Sequence, residues 1–291
     1  MLEFISEIGI NHNGKISIAK KLIDQSKLAG ATYVKFQLRN LKEMYNPDFL
    51  KKVSNSESAN QYIYNEIKKN SLSENQYCNL FKYSKKIGLK VMVTPFDEKS
   101  LDLCKNKYID AIKIGSPDFE NIYLIKKALK LKLPLYLSTG MTTLTNIKKV
   151  ILFIKKNNLH KVKINILHCV SSYPPRKDEI NLRFIKTLIK INKNNKVGYS
   201  GHERGFGPSL LSIYFGSRII ERHITLDKNM EGPDHNSSIT AEEFRKLINT
   251  SFQCLLFLKK KKTNLNNFIN NFELKRSQDS IGVNRKILSN N

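Results

Sequence analysis

The sequence predicts a (β/α)8 TIM barrel, and three observations carry that prediction. Short β-branched runs alternate strictly with amphipathic stretches, the alternation occurs eight times in one direction, and a chain of 291 residues has the length and spacing that a closed barrel needs. An open doubly wound sheet would alternate as well. The count of eight favours closure, and the opening GINHNG is not a GxGxxG dinucleotide fingerprint.

The units run in order along the chain. The strands are expected at EFISEIGI (3–10), YVKFQ (33–37), LKVMVT (89–94), AIKIG (111–115), LPLYLS (133–138), VKINILH (162–168), KVGYS (196–200) and RIIERHI (218–224). Helices are expected near 16–29, 73–87, 98–106, 121–130, 142–156, 179–193, 207–216 and 240–261. Residues 38–72 form a long insertion after the second strand, too polar to be core and of a length usual for functional or mobile loops. The barrel is expected over residues 1–261. Residues 262–291 read as a polar, Asn-rich arm or tail too short for a second domain.

Composition narrows the setting. At 40% hydrophobic the chain can bury one sizeable core. Glu3 and Glu7 stand where a secretory signal would be positive, and no apolar run reaches membrane-spanning length, so a cytoplasmic protein away from membranes is expected. Cys78, Cys104, Cys169 and Cys254 form no CxxC pair, which disfavours a zinc ribbon or a disulfide framework and leaves reduced thiols. The formal charge of +25 raises nucleic-acid binding as another class of function. Yet the lysines are spread along the chain among Asn and Ile with no aromatic-basic cluster, so compositional bias is preferred and no nucleic-acid partner is expected.

The chemistry gathers where a TIM barrel places its active site, at the C-terminal ends of the strands. In order these ends offer Glu7; Lys35 and Gln37; Thr94; Lys113, Ser116 and Asp118; Ser138; His168, Ser171 and Tyr173; Ser200 and His202; and Glu221 and His223. Any one has an ordinary explanation, such as a Ser capping the next helix. Eight strands of eight ending this way points to a site. Lys35 and Lys113 lie inside apolar strands, where an uncompensated ammonium is costly, and a bound anion would explain both. His202 and His223 end neighbouring strands, so their imidazoles can converge on one cation, although a loop cap and a core histidine would read the same. The segment SGHERGFGP (200–208) can present backbone N–H groups to an anion or be only a tight connection.

The segments EIGINHNG, KFQ, TPFD, KIGS, STGM, LHCVSSYP, GYSGHE and ERHITLD followed by EGPDH, in that order from about residue 3 to 260, resemble the N-acetylneuraminate (sialic acid) synthase family. The resemblance implies a TIM-barrel transferase that joins phosphoenolpyruvate to an N-acetylhexosamine aldehyde, N-acetylmannosamine-like, and releases phosphate. By that resemblance phosphoenolpyruvate is held by Lys35, Thr94, Lys113, Ser116, Ser138, Ser171 and Ser200. A divalent metal (Mn, Mg or Co) is held by His202 and His223. The sugar contacts Gln37, Tyr173 and Asp234, Asp118 is the acid/base, and Glu7 lies near the metal. The expected partners are these two small molecules, with a homodimer as the candidate assembly.

The sequence also departs from the family. Pro117 stands where Gly is frequent and Ser171 where many bacterial members carry Asn. Many members add a small antifreeze-like domain that supplies an Arg to a partner's sugar site, and the resemblance stops short of it. Lys275, Arg276 and Arg285 in the tail are the candidates to replace that Arg. Other readings remain: a different nonulosonic acid, a phosphorylated sugar, or a two-histidine metal hydrolase, for which a strand-1 HxH and a third strand histidine are wanting.

Overall fold

The computed structural model describes residues 2–44, 59–158 and 160–258, and the side chains of 59–63 are outside that description. The expected arm at 262–291, with Lys275, Arg276 and Arg285, and residues 45–58 of the expected insertion lie outside the described residues.

The element order is β1 (Glu3–Gly9), α1 (Ile16–Ala29), β2 (Tyr33–Leu38), α2 (Leu41–Met44), α3 (Ala59–Lys69), α4 (Glu74–Lys86), β3 (Lys90–Pro95), α5 (Glu98–Leu103), β4 (Ala111–Ile114), α6 (Ile122–Lys130), β5 (Leu135–Ser138), α7 (Leu144–Asn157), β6 (Ile164–Cys169), α8 (Phe184–Ile191), β7 (Val197–Gly201), α9 (Gly207–Tyr214), β8 (Ile219–Thr225), β9 (Ile239–Thr240) and α10 (Ala241–Phe257). Strands β1 to β8 pair in sequence order, all parallel, and β8 pairs back onto β1 from Glu3↔Ile219 to Glu7↔His223. The sheet is a closed (β/α)8 barrel, as the alternation predicts.

Local chemistry sets the elements. Gly30 closes α1 in the left-handed conformation at φ 94°, a backbone that L side chains resist. Ser73 and Gln76 form a reciprocal capping box at the start of α4. Asp97 caps α5 through Ser100 N at 2.7 Å, and its other oxygen accepts from Asn40 N at 2.7 Å, tying the loop after β2 to the loop after β3. The helix expected over 179–193 is shorter. A 3-10 turn covers Lys177–Glu179 and Asn181 takes a positive φ of 39°, so regular helix begins at Phe184. The insertion is not wholly outside the core, because Ile67 and Leu72 are buried against the barrel together with Asn70.

Inside the barrel the period of two stacks side chains in layers. Ile5, Tyr33, Met92, Ala111, Tyr136, Leu167 and Ile219 form the apolar floor. Strand β7 has no room for a side chain at this level, since a Cβ on Gly198 would lie 2.6 Å from Ile219 Cβ. Below the floor, Glu3 accepts from Tyr136 Oη at 2.8 Å and pairs with Lys196 at 2.5 Å. Two residues further along the same strands stand Glu7, Lys35, Thr94, Lys113, Ser138, Cys169 and Glu221, all buried. The interior changes from apolar to ionised in one step of the pleat.

Candidate active site

The polar layer is the base of a cavity of about 380 Å³ at the C-terminal ends of the strands. Lys35, Gln37, Thr94, Lys113, Ser116, Ser138, Ser171, Tyr173, Ser200, His202, His223 and Asp234 all line it. A larger groove of about 760 Å³ lies between the loops after β6 and β7, but its wall is mainly Pro, Leu, Ile and Phe. Lys177, Arg183, Glu203 and Arg204 also stand on that groove, but the buried lysine–carboxylate cluster and both cavity histidines gather in the smaller cavity, which identifies it as the candidate site.

At its base Lys35 Nζ sits 2.7 Å from Glu7 Oε2 and 3.0 Å from Glu221 Oε1, and lies 3.4 Å from Thr94 Oγ1. Lys113 Nζ donates to Ser138 Oγ at 2.6 Å and lies 3.6 Å from Glu221 Oε1, which also accepts from Ser200 Oγ at 3.0 Å. The lysines therefore have protein carboxylates as partners, and a bound anion is not required to explain their burial. Burial, reinforced by the Lys113 charge, lowers Lys35 to about 8. Burial alone would raise Glu221, but the Lys113 and Lys35 ammoniums outweigh it and hold this carboxyl below its ordinary range.

Higher on the wall the two histidine rings lie 5.6 Å apart between centroids, and Tyr173 leans over His202 at 4.0 Å. His202 Nδ1 is 3.0 Å from the Val170 carbonyl, an acceptor, which assigns the proton to Nδ1 and leaves Nε2 with its lone pair. His223 Nδ1 has no hydrogen-bond partner and lies 3.8 Å from Asp234 Oδ2. Burial first, then neighbouring positive charge, lowers both histidines to about 3, so both are neutral at neutral pH. Gly9 holds φ +54° beside them, and a Cβ there would lie 3.0 Å from Glu7 Oε1 and 3.2 Å from His223 Cε1.

These observations test the fit of a cation. Two neutral imidazoles, an unpartnered His223 nitrogen and an unpartnered Glu7 Oε1 suit a divalent ion that keeps open positions. Among the described residues no group of three His, Cys, Asp or Glu side chains is placed to hold a metal by itself. The fit is thus to a two-histidine site completed by water or substrate.

Two expected residues are not among those lining the cavity. Glu7 lies beneath the cavity wall, fully buried against Lys35. Asp118 is not among the lining residues. Beyond Gly115 the strand gives way to the 3-10 turn Ser116–Asp118, so the pleat no longer dictates direction; Ser116 faces the cavity and Asp118 accepts from Asn121 Nδ2 at 3.1 Å. His168 is also turned away, its Nε2 2.7 Å from the Ile180 carbonyl, because Leu167 and Cys169 take the inward positions.

The wall holds residues the sequence reading left unassigned. Glu221 shares parity with His223 two residues on, a signal available in the sequence. Arg39, with its guanidinium 4.1 Å from the Phe96 ring centroid, lines the cavity and had no such signal.

A (β/α)8 barrel with an ionised cavity at the strand ends is the architecture of a barrel enzyme. Within that class the chain belongs to the NeuB family, whose model matches residues 22–263. It is 37% identical over 249 residues to the N,N'-diacetyllegionaminic acid synthase of Campylobacter jejuni, covering 84% of this chain and 73% of that one. It is 37% identical over 244 residues to the N-acetylneuraminate-9-phosphate synthase of Drosophila melanogaster, covering 84% of this chain and 65% of that one. Among solved structures, the N-acetylneuraminic acid synthetase of Leptospira borgpetersenii in complex with citrate superposes with a TM-score of 0.79 at 29% identity, over 98% of this chain and 93% of that one. Among the described residues no helix is long and apolar enough to cross a membrane, and none of the four cysteines is in a disulfide.

Proposed function

We propose that this protein condenses phosphoenolpyruvate with the open-chain aldehyde of an N-acetylhexosamine, N-acetylmannosamine-like, to give a nonulosonic acid and phosphate. One observation carries the reading. A wall of hydrogen-bond donors (Lys35, Thr94, Lys113, Ser116, Ser138, Ser171 and Ser200) shares a single cavity with a neutral histidine pair. Donors of this kind suit an oxyanion-rich ligand. Because Glu7 and Glu221 already balance the two ammoniums, the remaining negative charge of that ligand is best met by a cation.

His202 and His223 hold that divalent ion, with Mn, Mg and Co as the candidates. When bound it supplies Lewis-acid polarisation of the aldehyde oxygen. The residues of the chain do the rest. The Ser and Thr hydroxyls and the two lysines fix the phosphate and carboxylate, presenting the methylene carbon toward the sugar end. Gln37, Tyr173 and Asp234 line that end and orient the aldehyde. A carbon–carbon bond forms between methylene and aldehyde carbons, water adds to the enol carbon, and the carbon–oxygen bond to phosphate breaks. Asp234, which lines the cavity and whose carboxyl burial raises, takes one proton of that water and passes it to the aldehyde oxygen, and the second leaves with the phosphate. Lys35 and Lys113 donate hydrogen bonds to the departing phosphate.

The same reaction on a phosphorylated sugar is the second reading, favoured by the Arg39 guanidinium in the cavity wall. The test is phosphate release from phosphoenolpyruvate against a panel of hexosamines and their phosphates, with and without chelator. Release that requires both an N-acetylhexosamine and a divalent metal supports the reading. Absence of release with every sugar in the panel overturns it.

A further inference from the structure

Among the described residues Arg222 is the largest fully buried side chain, and it stands between two residues that line the cavity, Glu221 and His223. Strand alternation turns it the other way, behind the barrel wall. There Nη1 donates to Glu203 Oε1 at 2.9 Å, to the Gly205 carbonyl at 2.6 Å and to Ser209 Oγ at 3.3 Å. Nη2 donates to the Glu203 carbonyl at 2.6 Å and to the Ser237 carbonyl at 3.3 Å. Glu203 is held in turn, accepting from Tyr199 Oη at 2.9 Å and Ser209 Oγ at 2.8 Å.

Each partner lies on a segment that presents a cavity side chain. Glu203 directly follows His202, and Gly205 and Ser209 complete that loop into α9. Ser237 ends the 3-10 turn His235–Ser237, which Asp234 directly precedes. One guanidinium thus ties, from behind, the segments bearing His202, His223 and Asp234.

We propose that Arg222 and Glu203 are positioning residues that hold His202 and His223 at the spacing a divalent cation requires, with Asp234 fixed beside them. The proposal rests on the two-histidine reading above. Cohesion alone is a poor reason for such a pair, since buried ion pairs are commonly no more stabilising than apolar side chains of similar volume. A planar fork adds direction: only a guanidinium has donors at fixed angles for two loops at once. Lysine keeps the charge but replaces the fork with a point donor, so the charge and the geometry separate experimentally.

The experiment is calorimetric titration of Mn²⁺ into the full chain and into Arg222→Lys, Glu203→Gln and His202→Ala, with melting temperature and Mn²⁺-free phosphoenolpyruvate affinity measured alongside. Arg222→Lys is expected to weaken Mn²⁺ binding by about 10-fold or more, as loss of groups that orient metal ligands does elsewhere, with phosphoenolpyruvate affinity changed less. Glu203→Gln, which preserves shape, is expected to move the same way by less, and it keeps the test in force if Arg222→Lys does not fold. Unchanged Mn²⁺ affinity in the folded variants, with only a lower melting temperature, overturns the positioning role and leaves a scaffold. If His202→Ala abolishes binding while Arg222→Lys and Glu203→Gln do not weaken it, only the positioning role falls. If the wild-type chain binds no Mn²⁺, the two-histidine reading falls and takes this proposal with it.

Discussion

His202 and His223 face one another across the β7–β8 seam with ring centroids 5.6 Å apart, both buried and both held in the neutral form. The relationship follows from register. Gly201 pairs with Arg222, so the next inward positions on the two strands are side by side. Replacing either histidine with alanine removes a donor that no neighbouring His, Cys, Asp or Glu cluster replaces among the described residues. His202→Ala and His223→Ala are each expected to lower turnover by more than about 100-fold, beyond what loss of an outer-shell group costs. Far-UV circular dichroism should be unchanged. Chelator-sensitive activity at the wild-type level in either variant would refute the metal assignment.

The site was legible wherever the pleat dictates direction. Lys35, Lys113, Ser138, Ser200, His202 and His223 are on or next to regular strand, and periodicity alone turns them inward. Asp118 stands in a turn, where two residues no longer mean one face, so the strand period does not give its direction. His168 was misread by one residue of parity, and β9 is too short to leave a pattern. The lysines stand out as anomalous, but their partners are on other strands: Glu7 is opposite Lys35 in the β1–β2 register, and Glu221 meets Lys35 only because the sheet closes on itself. Such closure is a property of the whole barrel and is not written in any local window.

The depressed histidines set a direction for acid stability. His202 and His223 titrate near 3 in the fold against an ordinary value of 6.5, so between those limits the unfolded chain binds protons that the folded chain does not. Stability is fully present above 6.5 and is lost as pH falls through that window. The melting temperature should decline as pH is lowered from 7 toward 4, and His202→Gln or His223→Gln should flatten the decline. An equally steep decline in both variants would assign the effect to other groups.

Gly140 packs where three side chains converge. A Cβ there would lie 2.3 Å from Ser171 Oγ, 2.9 Å from Ser116 Oγ and 3.2 Å from Cys169 Sγ, while its own N–H donates to Ser116 Oγ at 3.2 Å. Gly140→Ala should displace both hydroxyls, raising the KM for phosphoenolpyruvate about 10-fold, the worth of one net hydrogen bond, and leaving the sugar KM little changed. Adding Ser171→Ala relieves the closest contact, so stability should recover more than affinity. A KM for phosphoenolpyruvate at the wild-type level in Gly140→Ala would remove the two serines from the anion site.

The last prediction separates the two tasks assigned to Lys35. Lys35→Met withdraws an ammonium from between Glu7 at 2.7 Å and Glu221 at 3.0 Å, leaving buried carboxylates with Lys113 alone at 3.6 Å from Glu221. Breaking one side of such a buried set costs about 3–5 kcal/mol, so the melting temperature should fall sharply and the KM for phosphoenolpyruvate should rise. In Lys35→Met/Glu7→Gln the charge is matched again, and most of the lost stability should return. If Lys35 also binds the anion, the KM for phosphoenolpyruvate stays high in the double variant while that for the sugar stays near wild type. If affinity returns together with stability, Lys35 serves only as the counter-charge of Glu7, and the anion is held by Lys113 and the hydroxyls. Lys113→Met then becomes the deciding measurement: its ammonium donates to Ser138 at 2.6 Å on the cavity wall, and its loss should raise the phosphoenolpyruvate KM in either case.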